Sequence, residues 1–459
     1  MYSVVPMQVC AYKDGEVIID TAAGTLGRYD PRPVQPDSLF PVFSATKGIT
    51  AGMIHWLVDN GILKLDENVA SIWPDFGSNG KEHTKVFHVL NHTTGLHNAM
   101  GDVIKENPLV MCDWAESLKH IARATPETEP GSEQKYHYLS FGWICGGVIE
   151  HASGKRFQEI LEEAIVHPLN IEGELYIGIP PGVESRLATL TIDTEDLEGI
   201  SKYASMHGEA ASLNSTDVLS MVSNIPVTFN MLPVRRAIIP AANGHCSARA
   251  LARYYAALAA AGNIPPPHTG SDPPLGSHPH IPKFLSENDT KKLKGRKNAT
   301  AATEDSEHSR DRSSRRKGYR AISTHDHDID DKRKHRTVGG QMFTNPRIHD
   351  AFMGVGEYYG DMVIQNGKFG LGFRRFPSGR LASFGHSGIG GSTGFCDVEN
   401  QFAMAITVNK MSFGGVTRKI VQLVCSELQI PVPEEFSISG DRGPDTQFNL
   451  GRTSAPTTA

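Results

Sequence analysis

The sequence predicts an α+β or mixed layered fold, in which one sheet draws its strands from both ends of the chain and helices fill the stretch between. Three observations carry this. Met7 to Tyr12 and Glu16 to Asp20 are strand-like runs joined by Asp14-Gly15, a strong hairpin signal. Near the other end, Leu381 to Phe384, Phe395 to Val398 and Phe402 to Val408 are again strand-like, the last two flanking a turn at Glu399-Asn400. Between these ends, apolar residues recur at helical spacing.

Taken in order, Leu39 to Phe43 is a short extended apolar stretch. It runs into a helix expected from about Ser44 to Asn60 and ended by Gly61. Val86 to Leu90 is a short helix closed by Gly95, and Leu139 to His151 a longer one in which Gly146-Gly147 allow close packing and Gly154 ends the run. Phe157 to Val166 and the Ala-rich Ser247 to Ala261 are further helices, the second stopped by Gly262. Phe369 to Phe373 is expected as a strand and Gly415 to Leu428 as the final helix. From Ile264 to Thr337 the chain turns rich in Pro, Ser, His and charge, with few large apolar residues, so 264–337 is expected as a solvated, disordered insertion. Its basic blocks Lys291 to Lys297 and Ser314 to Lys317 leave a nucleic-acid or nuclear-targeting patch open, and His278-Pro279-His280 with His325-Asp326-His327 a metal site. Interspersed acids dilute the basic blocks. The chain becomes polar after Pro431, so 433–459 is expected as a disordered tail, and 1–263 with 338–432 as one discontinuous domain.

With 459 residues, 39% of them hydrophobic, the chain has material for a substantial core. A net charge of -6 implies no global nucleic-acid or membrane role. The six cysteines are scattered without a Cys-x-x-Cys pair, several within apolar runs, which points to reduced, buried thiols. No signal peptide and no transmembrane-length apolar run is evident, so an intracellular, cytoplasmic protein is expected.

The tetrapeptide Ser44-Ala45-Thr46-Lys47 stands between the extended stretch and the first long helix. A helical start there sets Ser44 and Lys47 three apart on one face, with the hydroxyl beside an amine at the positive end of a helix dipole. That is a way to make a serine nucleophilic without a histidine. Ser-x-x-Lys also occurs at Ser78/Lys81, Ser132/Lys135 and Ser314/Lys317, and a plain helix cap at Ser44 is the competing explanation. Lys135-Tyr136-His137-Tyr138 offers a proton shuttle. A tyrosine, however, titrates near about pH 10 and acts as a base only if cations such as Lys47 lower its pKa. Gly385-His386-Ser387-Gly388-Ile389-Gly390-Gly391 ends a strand with glycines that let a substrate approach the backbone. Ser387 as an α/β-hydrolase nucleophile is rejected, because Gly-x-Ser-x-Gly fails at Ile389 and no βαβ alternation surrounds it.

In this order, Ser-x-x-Lys, a tyrosine motif and a late His-Ser-Gly, the chain resembles the serine β-lactamase-related family, close to class C β-lactamases and their esterase-like branch. The likeness extends over Pro41 to Gly48, His88 to Leu96, Tyr136 to Trp143, Ala242 to His245 and Phe384 to Gly388. The resemblance implies an antiparallel sheet flanked by helices, with an inserted, mainly helical region and the site at their junction. It also implies Ser44 as acylated nucleophile, Lys47 as its activator, Tyr136 as second base and acid, and His386 in place of a lysine. Ser387 and Gly388 would complete that motif, and the N–H groups of Ser44 and Ile389 would form the oxyanion hole. No cofactor or metal is implied. Tyr138 stands where penicillin-processing relatives carry asparagine, and His386 removes a permanent positive charge. Both departures argue for small neutral esters or amides as substrates, with β-lactams or D-amino-acid peptides, and a catalytically weak, filament-forming scaffold, as alternatives. Relatives usually have a helix ahead of the first strand, and some plant relatives a kinase-like region, so the start at Met1 is expected to be shortened or misassigned.

Overall fold

The computed structural model describes residues 5–192, 223–277, 340–355, 368–376, 383–412 and 414–437. All of them fall in one compact unit, residues 1–281 with 338–459, while the second unit, 282–337, lies outside the described residues.

Strands β1 (Met7–Lys13) and β2 (Glu16–Ala23) form the N-terminal hairpin, and β3 (Thr25–Gly27) with β4 (Asp30–Pro33) a smaller one. Asp14 and Gly15 turn the first hairpin with φ of 52° and 82°, as a type I′ turn requires. β5 (Phe40–Pro41), β6 (Leu175–Ile177) and β7 (Gly244–Cys246) make a three-stranded sheet in the order β5-β7-β6. β8 (Arg374–Phe376), β9 (Ser383–Ser387), β10 (Thr393–Asp397) and β11 (Phe402–Val408) complete the main sheet. That sheet is antiparallel, in the order β2-β1-β11-β10-β9-β8, so the two ends of the chain meet along β1 and β11, with Met7 opposite Val408. The long helices are α1 (Thr46–Asp59), α2 (Ser140–Ser153), α3 (Ala248–Ala259) and α4 (Gly415–Glu427).

The period-2 pattern of the strands sorts two cores. On β11, Ala403 and Ala405 face the main core, while Phe402, Met404, Ile406 and Val408 face a second one. Small residues on the inner face let the Ala-rich α3 lie close. At Gly394, a Cβ would come 2.4 Å from the Tyr255 ring. The outer face is covered by α4 through Val421, Val424 and Cys425, and by Phe436. All six cysteines are free thiols, five of them buried.

Several boundaries differ from expectation. Ser44 is not the cap of α1: it lies in a 3-10 turn (Phe43–Ala45), and the cap, Ala45, makes no side-chain bond. Phe369 to Phe373 is a turn rather than a strand. Gly370 fits against the Phe352 carbonyl and Gly372, at φ 89°, against Ala51, so the strand starts only at Arg374. Residues 264–277, expected inside the insertion, are packed on the domain, where Arg253 donates to the carbonyls of Pro265 and Pro266. The remainder of that insertion, with both histidine motifs and both basic blocks, lies outside the described residues. The expected tail likewise begins with structure: Glu434–Ser437 is a helical turn with Phe436 buried, and 438–459 lie outside the described residues. Among the described residues no helix is long and apolar enough to cross a membrane.

Candidate active site

The turn that carries Ser44 is held by its neighbours. Phe43 sits at φ 46°, a left-handed conformation that costs an L-residue about 1–2 kcal/mol. Its ring packs edge-on against Phe229 at 5.2 Å, and its carbonyl accepts from Thr46 Oγ1. Thr46 Oγ1 in turn accepts from the Gly244 N–H at 2.8 Å, and the Val42 N–H donates to the Gly244 carbonyl at 2.9 Å. The turn is thus stapled to β7. From the other side comes the end of β9. A Cβ on Gly388 would lie 2.3 Å from the Val42 carbonyl oxygen and 3.1 Å from the Phe43 Cβ. Only glycine permits this approach.

Lys47, one turn on, is fully buried. Its Nζ lies 3.2 Å from Ser44 Oγ, 2.7 Å from the Tyr138 carbonyl oxygen and 3.0 Å from that of Ala241. The Tyr136 ring lies beneath it, 4.8 Å from Nζ to the ring centre. Among the described residues no carboxylate pairs with it. Burial holds its pKa well below the ordinary lysine value, the nearby Cys145 thiol opposing only in part. The amine is therefore poised to accept a proton.

Ser44 acts on the Tyr136 phenol, pulling its pKa down. Burial raises its pKa, outweighing Ser44, and Arg374 is the one cation acting to lower it. Lys47, expected to lower the phenol's pKa, is not among the groups acting on it. Tyr136 is clamped between rings, stacked on Phe369 at 5.2 Å with His92 and Tyr138 each at 4.9 Å. Gln134 fixes Phe369 by two bonds, donating to its carbonyl at 3.0 Å and accepting from its N–H at 3.2 Å.

Alternation along β9 sends His386 to the inner face and Ser387 to the outer one. His386 Nδ1 donates to the Ser387 carbonyl at 3.1 Å, leaving Nε2 as the lone-pair nitrogen. Burial first, then Lys47, push its pKa down to about 3, so it is a neutral imidazole. Ser387 Oγ shares a proton with Thr393 Oγ1 at 2.8 Å and lies 3.5 Å from Glu435 Oε1. The Gly388 N–H donates to the Ser392 carbonyl at 2.7 Å, so it is engaged within its own turn, while Ile389 follows it half-buried. The structure thus brings Ser44, Lys47, Tyr136 and the 386–389 turn together.

At the other described Ser-x-x-Lys motifs the hydroxyl and the amine meet other groups. Lys81 turns to the Ala124 carbonyl while Ser78 donates to Asp75, and Ser132 donates to the Glu129 carbonyl while Lys135 pairs with Glu133 at 3.0 Å. Ser314 and Lys317 lie outside the described residues. Sequence reasoning missed Arg374, Phe369 and the role of His92. Arg374 is the least legible, because only the pairing of β8 with β9 places it opposite Gly385.

The family model described as Beta-lactamase matches residues 2–423. The chain belongs to the Beta-lactamase family. Among its relatives, Esterase/beta-lactamase LipL of Mycobacterium tuberculosis (strain ATCC 25618 / H37Rv) is 33% identical over 258 residues, 56% of this chain and 59% of LipL. Esterase EstB of Burkholderia gladioli is 28% identical over 184 residues, 37% of this chain and 46% of EstB. The chain spans about half the length of the curated relatives it matches. A penicillin-binding protein homologue from Caulobacter crescentus shares the fold with a TM-score of 0.59 at 24% identity, over 88% of this chain and 87% of that one. The antiparallel sheet with flanking helices is accordingly the fold of this family.

Proposed function

We propose that the protein is a serine hydrolase that works through an acyl-enzyme on small neutral esters or amides. The observation that carries this is the placement of Ser44 Oγ between the phenol of Tyr136 and the buried, carbonyl-held amine of Lys47. Neutral Lys47 takes the hydroxyl proton as Ser44 Oγ bonds to the substrate carbonyl carbon. The carbonyl electron pair moves onto oxygen, which rests on the N–H groups of Ser44 and Ile389. When the tetrahedral intermediate collapses, the leaving alcohol or amine takes the Tyr136 proton, which the Lys47 ammonium restores. Water then attacks the acyl-enzyme, giving its proton to the same pair, and Ser44 leaves with a proton as the acid is released. Neutral substrates are favoured because His386, at a pKa of about 3, carries no charge at neutral pH. The printed names of LipL and EstB support esterase chemistry.

The test is hydrolysis of p-nitrophenyl butyrate by the purified chain, with a chromogenic cephalosporin alongside. A burst of one p-nitrophenol per chain, and a loss of about 10⁴-fold in Ser44→Ala, are expected. Retained turnover in a folded Ser44→Ala protein rules the assignment out.

A further inference from the structure

Tyr136 lies in a stretch, 133–139, that belongs to no helix or strand, so its phenol is held in the site by bonds other than those of regular structure. Much of that support comes from His92. This residue is 1% exposed and stands at φ 63°, a left-handed conformation that histidine and asparagine enter more readily than most residues. Its carbonyl accepts from the Lys135 N–H at 3.0 Å, and its ring Nδ1 accepts from the His137 N–H at 3.2 Å. His92 thus grips the main chain one residue to either side of Tyr136. Its ring also lies 4.9 Å from the Tyr136 ring and 4.6 Å from that of Phe369. A ring nitrogen that accepts an N–H carries no proton, so the proton of His92 is on Nε2. Burial first, then His137, Lys47 and His386, holds its pKa well below the ordinary histidine value, and Nδ1 stays an acceptor. His137 is fixed as well: its Nδ1 donates to the Lys135 carbonyl at 2.6 Å, and its Nε2 accepts from Thr94 Oγ1 at 2.6 Å. The neighbours of His92 extend the hold. The Asn91 carbonyl accepts from Gln134 Nε2 at 2.9 Å and the Thr93 carbonyl from the Gly131 N–H at 2.7 Å.

We propose that His92 is a positioning residue: through its Nδ1 and its carbonyl it sets the Tyr136 phenol where a leaving alcohol or amine can take the phenolic proton. The inference rests on Tyr136 acting as the acid of the mechanism above. A general acid works only within hydrogen-bond reach of the group it protonates, and a misplacement of about 1 Å can cost about 10²-fold in rate. The connectivity of the side chain supplies the means to test this. Asparagine Oδ1 is bonded to Cγ, as histidine Nδ1 is, so it can accept the His137 N–H from the same position. Asparagine also tolerates the left-handed backbone. Glutamine Oε1 lies one bond further out, near the position of Nε2, and misses that N–H.

The experiment compares the native chain with His92→Asn, His92→Gln, Tyr136→Phe and His92→Gln/Tyr136→Phe. Two esters of one acid are used, p-nitrophenyl butyrate and ethyl butyrate. The p-nitrophenolate leaves without a proton, whereas ethoxide needs one, so the ratio of the two kcat/KM values reads the acid. His92→Gln should lose about 10²-fold on ethyl butyrate and less than about fivefold on the p-nitrophenyl ester. His92→Asn should keep the ratio near the native one. The double variant should show the ratio of Tyr136→Phe alone, because His92 acts through Tyr136. In parallel, hydrogen exchange of the 131–138 segment should be about tenfold faster in His92→Gln, the loss of one hydrogen bond, and near native in His92→Asn. Thermal melts establish that each variant is folded, and His92→Asn against Tyr136→Phe serves if the glutamine variant is not. An equal fall on both esters, a glutamine variant no worse than the asparagine one, or a further change of ratio in the double variant overturns the proposal. If Tyr136→Phe itself leaves the ratio native, the acid role of Tyr136 fails, and the exchange rates still decide whether His92 holds the segment.

Discussion

Of the fully buried cations among the described residues, Arg249 and Lys47 have opposite surroundings. Arg249 and Glu174 are both 0% exposed and form a salt bridge, which Ser247 and Ser271 complete with further bonds. Lys47 is equally buried but is met by two carbonyls and a serine hydroxyl, with no carboxylate. A buried ion that keeps its counter-ion stays charged and locks structure. One that is denied a counter-ion gives up its proton instead. The first arrangement ties α3 to the residue ahead of β6 and to the 264–277 segment. On the proposed mechanism, the second makes a base beside a nucleophile.

The contrast can be broken by truncating each cation. Lys47→Met should lower kcat/KM by about 10³-fold yet cost only about 1–2 kcal/mol, since two carbonyls lose a donor but no charge is stranded. Arg249→Met should do the reverse. An uncompensated Glu174 should cost about 3–5 kcal/mol in denaturant melts, with a folded fraction that still labels at Ser44. Equal stability losses in the two variants would erase the distinction.

Gly388→Ala tests whether the approach of β9 matters as much as the chemistry. Its Cβ has no room beside the Val42 carbonyl, at 2.3 Å, so the 386–389 turn must back away from Ser44. A loss of about 10²-fold in kcat is expected, with Lys47 still titrating as before.

The pH dependence sharpens the same contrast. On the proposed mechanism activity needs neutral Lys47, so kcat/KM should rise with pH through the folded-state pKa, which burial holds well below 10.5. The sign for stability follows. Unfolded Lys47 keeps its proton to higher pH than folded Lys47, so unfolding takes up a proton between the two values. Stability should therefore rise with pH across that window, and Lys47→Met should flatten the slope. The smallest effect belongs to Ser132→Ala, at an exposed motif whose lysine faces Glu133. Activity should be unchanged and stability within about 0.5 kcal/mol.

The strands at both termini, the long helices and the Ser44, Lys47, Tyr136 and His386 positions were legible because they are local. Periodicity, a turn dipeptide and short motifs report on a few neighbouring residues at a time. The same locality explains the errors. Phe369 to Phe373 has a strand's composition, but its glycines are needed for approach to Phe352 and Ala51. The expected tail holds Phe436, a single buried ring in a polar stretch, which no window average detects.

By itself, the sequence determined which groups can react and roughly which segments carry them. The tertiary structure decided their protonation and their company. Whether Lys47 is a base depends on carbonyls 91 and 194 positions away and on there being no carboxylate partner among the described residues. Whether Tyr136 is an acid depends on its burial among His92, Tyr138 and Phe369. Arg374 finds its counter-ion in Glu435, 61 positions on. Desolvation and ion pairing are set by what the folded chain brings near, and a linear pattern does not encode it.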